Sequence, residues 1–171
     1  MNGDFLVSKN IFDNAVTAYK VNKLYEAEDF FVSFLKKNPN HLETIFYLGM
    51  IALKNREFDK AKMFSQKAIK ISPTFAEAHH NLGQSFKDLG ENEKAIDSYK
   101  EAIKIKPNLF ASYNNLGNIF KESGENKKAI EYFLNAIKIN PKSFEAYNNL
   151  GIVYKLLKDY KRADECFKNA I

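Results

Sequence analysis

The chain has 171 residues, of which 45% are hydrophobic and 27% are charged, values typical of soluble globular proteins. Its seven glycines and four prolines leave little room for flexible linkers, and its single cysteine excludes an intrachain disulfide and a multi-cysteine metal site. No apolar run approaches the roughly 20 residues of a membrane span, and the net charge of +5 is spread along the chain rather than gathered on one stripe, so neither a membrane nor nucleic acid is expected as a partner.

The first element is a short lead-in, residues 1–7. The N-terminal sequence MNGDFLVSKN contains no basic segment followed by an apolar run, so no signal peptide is predicted. A lone free cysteine suits a reducing compartment, and a cytoplasmic location is the expectation.

From residue 8 onward the chain repeats with a period of 34 residues. Segments 76–109 and 110–143 agree at 16 of 34 positions without a gap, where chance would give about two. The same step separates the prolines and a row of glycines: Pro39, Pro73, Pro107 and Pro141, and Gly49, Gly83, Gly117 and Gly151. The period predicts five units: 8–41, 42–75, 76–109, 110–143 and 144–171. The first unit is degenerate, and the last stops inside its second helix, which suggests a fragment of a longer chain.

Each unit contains two amphipathic helices. In 110–143, apolar residues at three- and four-residue steps predict a first helix over 110–122 and a second over 127–139. Gly124 breaks the first helix, and Pro141 ends the second. Thr74 with Glu77, and Asn40 with Glu43, have the spacing of capping boxes and are expected to start the next first helices.

The glycine row lies inside the first helices, where glycine costs about 1 kcal/mol relative to alanine. Repeated use of an unfavourable residue indicates a close approach between helices. Ala95 and Ala129 of the second helices are expected to face the same contact, with large side chains such as Phe120 and Phe133 filling the space between.

The pattern resembles the tetratricopeptide repeat (TPR) family. The resemblance depends on the pair Leu-Gly at 48–49, 82–83, 116–117 and 150–151, on two alanine rows, on the aromatic row Tyr99, Phe133 and Phe167, and on the closing prolines. It covers 42–171 and extends weakly to 8–41, where Ala15 replaces the glycine. The resemblance implies an all-α fold: a right-handed superhelical solenoid of antiparallel helix pairs, with an inner groove lined by first helices.

The candidate binding residues are polar positions that recur on those first helices and do not face the core. They are Asn81, Asn115 and Asn149; His80, Asn114 and Asn148; Gln84 and Asn118; and Lys87, Lys121 and Lys155. Asparagine is a middling helix former that offers both a donor and an acceptor, so a ladder of asparagines can bind the backbone of an extended peptide. The lysine row could meet acidic side chains of a partner, or could be a solvated helix edge.

The asparagine ladder is similar to the one in the TPR superhelix of O-linked N-acetylglucosamine transferases. The predicted function is a protein-interaction scaffold that binds an extended peptide segment. Two alternatives stay open: the substrate-recruiting part of a larger transferase with a catalytic domain beyond residue 171, and self-association through the uncapped C-terminal end. The amides could also simply tie one helix to its neighbour.

No chemistry is expected of this chain. His79 and His80 point about 100° apart on a helix and cannot easily share a metal ion, and Cys166 has no histidine near it in register. The glycines fall singly and form no phosphate-binding loop. No catalytic residue, metal or cofactor is predicted.

Overall fold

A computed structural model of the chain describes residues 2–170, with side chains from Asn10 onward. These residues form ten α-helices, and the described part of the chain contains no strand. The helices are α1 (Asn2–Lys20), α2 (Leu24–Lys37), α3 (Leu42–Lys54), α4 (Phe58–Ile71), α5 (Ala76–Asp88), α6 (Asn92–Ile105), α7 (Phe110–Glu122), α8 (Asn126–Ile139), α9 (Phe144–Leu156) and α10 (Tyr160–Asn169).

The helix bounds follow the period closely. The predicted first helix 110–122 coincides with α7, and α8 begins one residue before the predicted start at 127. Helix α1 begins at Asn2, so residues 2–7, predicted to be a lead-in, belong to a helix.

The turn between the two helices of each repeat has a residue with positive φ at the same repeat position. Asn22, Arg56, Gly90, Gly124 and Lys158 all have φ between 60° and 80°, and they are spaced 34 residues apart. This left-handed conformation ends the helix. Glycine adopts it easily because it has no Cβ, whereas the three non-glycine residues adopt it with some loss of conformational free energy.

The prolines end the second helices through the residue that precedes them. Asn38, Ser72, Lys106 and Asn140 are the C-caps of α2, α4, α6 and α8, and each stands directly before a proline. Their φ values lie between −128° and −135° with ψ between 65° and 92°. A proline ring disfavours the α conformation in the residue before it, so the helix cannot continue.

The two predicted capping boxes are wrong. The N-cap of α3 is His41 rather than Asn40, and its Nδ1 accepts the backbone N–H of Thr44 at 3.3 Å. The N-cap of α5 is Phe75 rather than Thr74, and no side chain caps it. The chain stays extended for one residue more than the Thr74–Glu77 spacing assumed, which moves the candidate side chain out of reach of the first helical N–H groups.

The chain comprises two compact units, Met1–Leu89 and Gly90–Ile171. In the first unit α1 pairs with α2 and α3 with α4, and α5 packs on both α3 and α4. Its core joins large side chains to alanines of the repeat, and includes Phe31, Ile45, Leu48, Phe64 and Ala68.

In the second unit α7 pairs with α8 and α9 with α10, while α6 packs on α7 and α8 packs on α9. The predicted close approach is present here. An added Cβ on Gly117 would lie 2.6 Å from Cε1 of Phe133, and one on Gly151 would lie 2.6 Å from Cε1 of Phe167. The nearest atoms to a side chain at Gly117 thus belong to the ring of Phe133 and not to Ala129.

Candidate functional site

The first unit contains a concavity of about 700 Å³ on its first helices. Helices α1, α3 and α5 contribute its walls, since their exposed faces turn to the same side. The lining combines aromatic rings with charged groups: Phe12, Phe46, Tyr47 and Phe75, and Asp13, Lys20, Glu43 and Glu77. A surface of this kind can hold both an apolar body and a charged end of a ligand.

The aromatic rings of this concavity are held by one another. The ring of Tyr47 stacks on Phe31, with centroids 5.0 Å apart and planes at 10°. Phe46 packs against Phe75 at 5.0 Å, and Phe12 approaches Tyr47 edge-on at 6.5 Å. Because Phe31 is fully buried, the stack fixes Tyr47 and with it the floor of the concavity.

Helix α5 carries four of the predicted binding residues. Asn81 is buried, at 8% exposure, whereas His80, Gln84 and Lys87 are half-buried. Gln84 donates from Nε2 to Oδ2 of Asp88 at 2.8 Å. Burial lowers the pKa of His80 to about 4, with the carboxylate of Glu77 opposing the shift, so the imidazole is neutral at pH 7.

In the second unit a chain of hydrogen bonds joins α7 to α9. Lys121 Nζ donates to Oδ1 of Asn118 at 2.9 Å and to Oδ1 of Asn149 at 3.2 Å. Asn149 Nδ2 donates to Oδ1 of Asn114 at 3.5 Å, and Asn114 Nδ2 donates to Oε1 of Glu145 at 2.8 Å. Apart from the bond to Asn118, which stays within α7, these bonds lead in one direction from the ammonium group of Lys121 to the carboxylate of Glu145.

Asn115 has a different partner from Asn149, although both occupy the same repeat place. Its Nδ2 donates to the hydroxyl of Tyr99 at 3.0 Å, and that phenol ring is fully buried in α6. The corresponding aromatic residues of the next two repeats are Phe133 and Phe167, which have no hydroxyl. The amide of Asn115 therefore satisfies a buried polar group, which position 149 has no need to do.

The remaining predicted residues differ in exposure. Asn148 and Lys121 are half-buried, and Lys155 is exposed. Asn114 is more deeply buried than expected for a groove residue, at 3% exposure. The predicted row of polar side chains therefore has buried and open members, and two of the buried ones, Asn114 and Asn149, bond to the neighbouring first helix.

The residues weighed for chemistry have structural surroundings. His79 lies against the carbonyl oxygen of Pro73, at 2.9 Å from Nε2. Cys166 is buried, and burial raises the pKa of its thiol. Among the described residues, no group of three His, Cys, Asp or Glu side chains is placed to hold a metal ion. None of the helices that the structure describes has both the length and the apolar character needed to cross a membrane.

The concavity of the first unit was missed by the sequence reasoning. The asparagine row does not extend into the first two repeats, where Asp13 and Tyr47 occupy the equivalent places. A signal was present in the aromatic residues at 12, 46, 47 and 75, but their meeting on one face depends on how α1, α3 and α5 pack.

Comparison with models of protein families shows to which family the chain belongs. Models described as tetratricopeptide repeat match residues 42–75 and 64–97, and a model described as TPR repeat matches 83–124 and 117–158. Together they span 42–158, which is 117 of the 171 residues. This chain belongs to the tetratricopeptide repeat family. No curated protein matches it.

Solved structures agree with the tetratricopeptide fold. A crystal structure of MamA is 28% identical, with a TM-score of 0.80, and the match covers 91% of each chain. MamA from Desulfovibrio magneticus RS-1 is 18% identical over 95% of this chain and 92% of that one, with a TM-score of 0.83. YrrB, described as a TPR protein with an unusual peptide-binding site, is 19% identical over 94% and 83%, with a TM-score of 0.71. The last two show likeness of fold alone.

The narrower resemblance to O-linked N-acetylglucosamine transferases finds no support in these comparisons. The matching models describe tetratricopeptide repeats in general, and the matching structures named above are MamA and YrrB. The alternative of a substrate-recruiting part of a transferase loses its basis with that resemblance.

Proposed function

We propose that this chain is a protein-interaction scaffold, and that an extended segment of a partner polypeptide lies against the first helices of its repeats. The observation that carries the proposal is the open concavity of about 700 Å³ on α1, α3 and α5. Three successive first helices build one continuous surface there. Partly exposed rings on such a surface supply apolar contact area for a partner's side chains.

Within the second unit, the amides on α7 and α9 would supply polar contacts to a peptide backbone. An asparagine side chain has two donor and two acceptor positions. The bonds of Asn149 to Lys121 and Asn114 use one donor and one acceptor position of its amide. The same bonds hold the amide in place, so little rotamer freedom would be lost when a peptide backbone binds to it. Tying helices together and binding a peptide are compatible roles for this side chain.

The other polar positions extend the proposal. Asn81, with His80, Gln84 and Lys87 beside it, occupies on α5 the place that Asn115 and Asn149 occupy on the later first helices. Lys155 is exposed at the end of α9, where it could meet an acidic side chain of the segment. YrrB, the solved TPR protein with a peptide-binding site, supports the choice of a peptide as the ligand class.

The test begins with a random peptide-display library selected on the immobilised chain. The strongest peptide is synthesised with a fluorescein label, and its dissociation constant is measured by fluorescence anisotropy. Replacing Asn115 and Asn149 together by alanine is expected to raise the dissociation constant of that peptide about tenfold, since each lost hydrogen bond contributes about 0.5–1.5 kcal/mol.

The matched control is the double variant of Asn135 and Asn169, also replaced by alanine. These two asparagines lie 34 residues apart on second helices, where each bonds to a backbone carbonyl of its own helix. The control is expected to bind the peptide as the wild type does. Equal weakening of both double variants, or failure of the selection to enrich any peptide that competes for binding, would refute the proposal.

A further inference from the structure

We infer that the concavity of α1, α3 and α5 binds an arginine or lysine side chain of the partner segment. The inference rests on the proposed function, because it names the chemistry of the residue that this part of the scaffold selects. It concerns only the first unit, and it differs in sign from the acidic partner that the lysine row suggests.

The charged side chains around the concavity favour a cationic ligand. Three carboxylates, those of Asp13, Glu43 and Glu77, line the concavity together with one ammonium group, that of Lys20. The local balance is therefore −2, although the whole chain carries +5. A concave surface concentrates the field of the charges around it, so the concavity attracts cations although the net charge of the whole chain is positive.

Two of these carboxylates have no counter-ion among the side chains that the structure describes. Asp13 and Glu43 are exposed, and neither forms an ion pair with another side chain in the described part of the chain. Other acidic residues of this unit do pair: Asp59 with Lys62 at 2.8 Å, and Glu57 with Lys60 at 2.9 Å. The two carboxylates beside the aromatic floor are therefore available to a ligand.

The aromatic floor of the concavity also favours a cationic ligand. The rings of Phe12, Phe46, Tyr47 and Phe75 are half-buried and packed together, so each offers part of its surface to the concavity. The face of an aromatic ring attracts a cation within about 6 Å of its centre. The chain itself shows such a contact nearby, where Nζ of Lys54 lies 4.7 Å from the centre of the Tyr19 ring.

The combination selects a long basic side chain. Arginine and lysine carry an apolar stem that packs on rings and a cationic end that reaches carboxylates at the rim. An aliphatic residue would leave the carboxylates unused, and an acidic residue would be repelled by them. The volume of about 700 Å³ lies within the roughly 300–1,000 Å³ of ligand pockets, so it holds the basic side chain together with its neighbours in the segment.

The test uses capped amino acids as probes, so that no partner has to be known. N-acetyl-arginine methylamide is titrated into the uniformly nitrogen-15-labelled chain, and backbone amide shifts are followed by NMR. The isosteric citrulline analogue, which lacks the charge, and the glutamate analogue are titrated in parallel. We expect shifts of α1 and α3 amides around Asp13 and Phe46, with arginine binding about tenfold more tightly than citrulline and no glutamate binding there.

Variants then separate charge from folding. Replacing Asp13 by asparagine and Glu43 by glutamine is expected to remove most of the arginine preference. The matched control neutralises two exposed acids elsewhere, Asp29→Asn with Glu122→Gln, and keeps the preference. Lys20→Ala, which removes the competing cation, is expected to strengthen arginine binding about twofold or more, a gain that misfolding cannot imitate.

Equal affinity of arginine and citrulline, or shifts that survive in the Asp13 and Glu43 variant, would overturn the inference. The two proposals fail separately. If a selected peptide still binds through Asn115 and Asn149 while capped arginine does not bind at α1 and α3, the scaffold function stands and the arginine site is wrong. If arginine binds but no peptide is ever selected, the scaffold function is the one refuted.

Discussion

Replacing Gly117 by alanine adds one methyl group at a point where the ring of Phe133 lies against the helix. The new Cβ would lie 2.6, 2.7 and 2.9 Å from three atoms of that ring. Carbon atoms prefer separations of about 3.5–4.0 Å, so the ring would have to move by about 1 Å. Phe133 is fully buried, which leaves no open space for that movement.

The same substitution at Gly49 meets different surroundings. There the nearest atoms are Cβ of Phe64 at 3.4 Å and Oγ of Ser65 at 3.9 Å, which are ordinary contacts. The difference arises because Ser65 stands where Phe133 stands two repeats later. Position 49 is therefore a matched control for position 117 within one chain.

The expected magnitudes follow from two opposing terms. Alanine gains about 1 kcal/mol over glycine in a helix interior, and overpacking a filled core costs about 1–3 kcal/mol. Gly49→Ala should therefore stabilise the chain by up to about 1 kcal/mol, and Gly117→Ala should destabilise it by up to about 2 kcal/mol.

Urea unfolding followed by circular dichroism gives both free energies. Hydrogen exchange of α7 and α8 amides shows whether the loss at Gly117 is local. In the background of Phe133→Leu, which frees space above the glycine, the cost of Gly117→Ala should fall. Equal changes in the free energy of unfolding for the two alanine variants would refute the reasoning, because only the ring distinguishes the sites.

Two further predictions concern single side chains. The folded-state pKa of His80 lies near 4, below its usual 6.5, so the unfolded chain binds this proton first. The contribution of His80 to the free energy of unfolding should be complete above pH 6.5 and should fall by at most about 3 kcal/mol toward pH 4. Urea unfolding at a series of pH values measures this dependence, and His80→Asn should remove it. Glu91 is the N-cap of α6 without a side-chain cap bond, whereas Asp159 at the same place of α10 accepts the N–H of Arg162 at 3.1 Å. Glu91→Asp should therefore raise the free energy of unfolding by about 0.5–1 kcal/mol, as measured by thermal denaturation. Glu93→Asp, two residues after the cap, should leave that free energy unchanged.

Much of the fold could be predicted because it depends on local chemistry repeated at a fixed step. The bounds of α7 and the ends of the second helices follow from apolar spacing and from prolines such as Pro141. The N-cap residues could not be predicted in the same way. His41 replaced Asn40 as the N-cap of α3 because a one-residue difference in where the backbone turns decides which side chain reaches the first free N–H.

For the candidate site, the sequence shows which residues recur, but it does not show their hydrogen-bond partners. The recurrence of Asn81, Asn115 and Asn149 is visible in the chain, and so is their place on first helices. Their partners are not visible. Asn115 bonds to Tyr99, 16 residues away, and Asn114 bonds to Glu145, 31 residues away. Which of two equivalent amides finds a hydroxyl depends on an aromatic residue of another helix, and no local pattern contains that information.

By itself, therefore, the sequence determined the repeat, its pairs of helices and the family, because helix formation and helix ends depend on residues within one or two turns of each other. The tertiary structure alone decided that Phe133 lies over Gly117 while Gly49 stays open, and that aromatic rings of α1, α3 and the start of α5 meet in one concavity. Both outcomes depend on side chains from different helices sharing one volume, and such contacts exist only once the helices have packed.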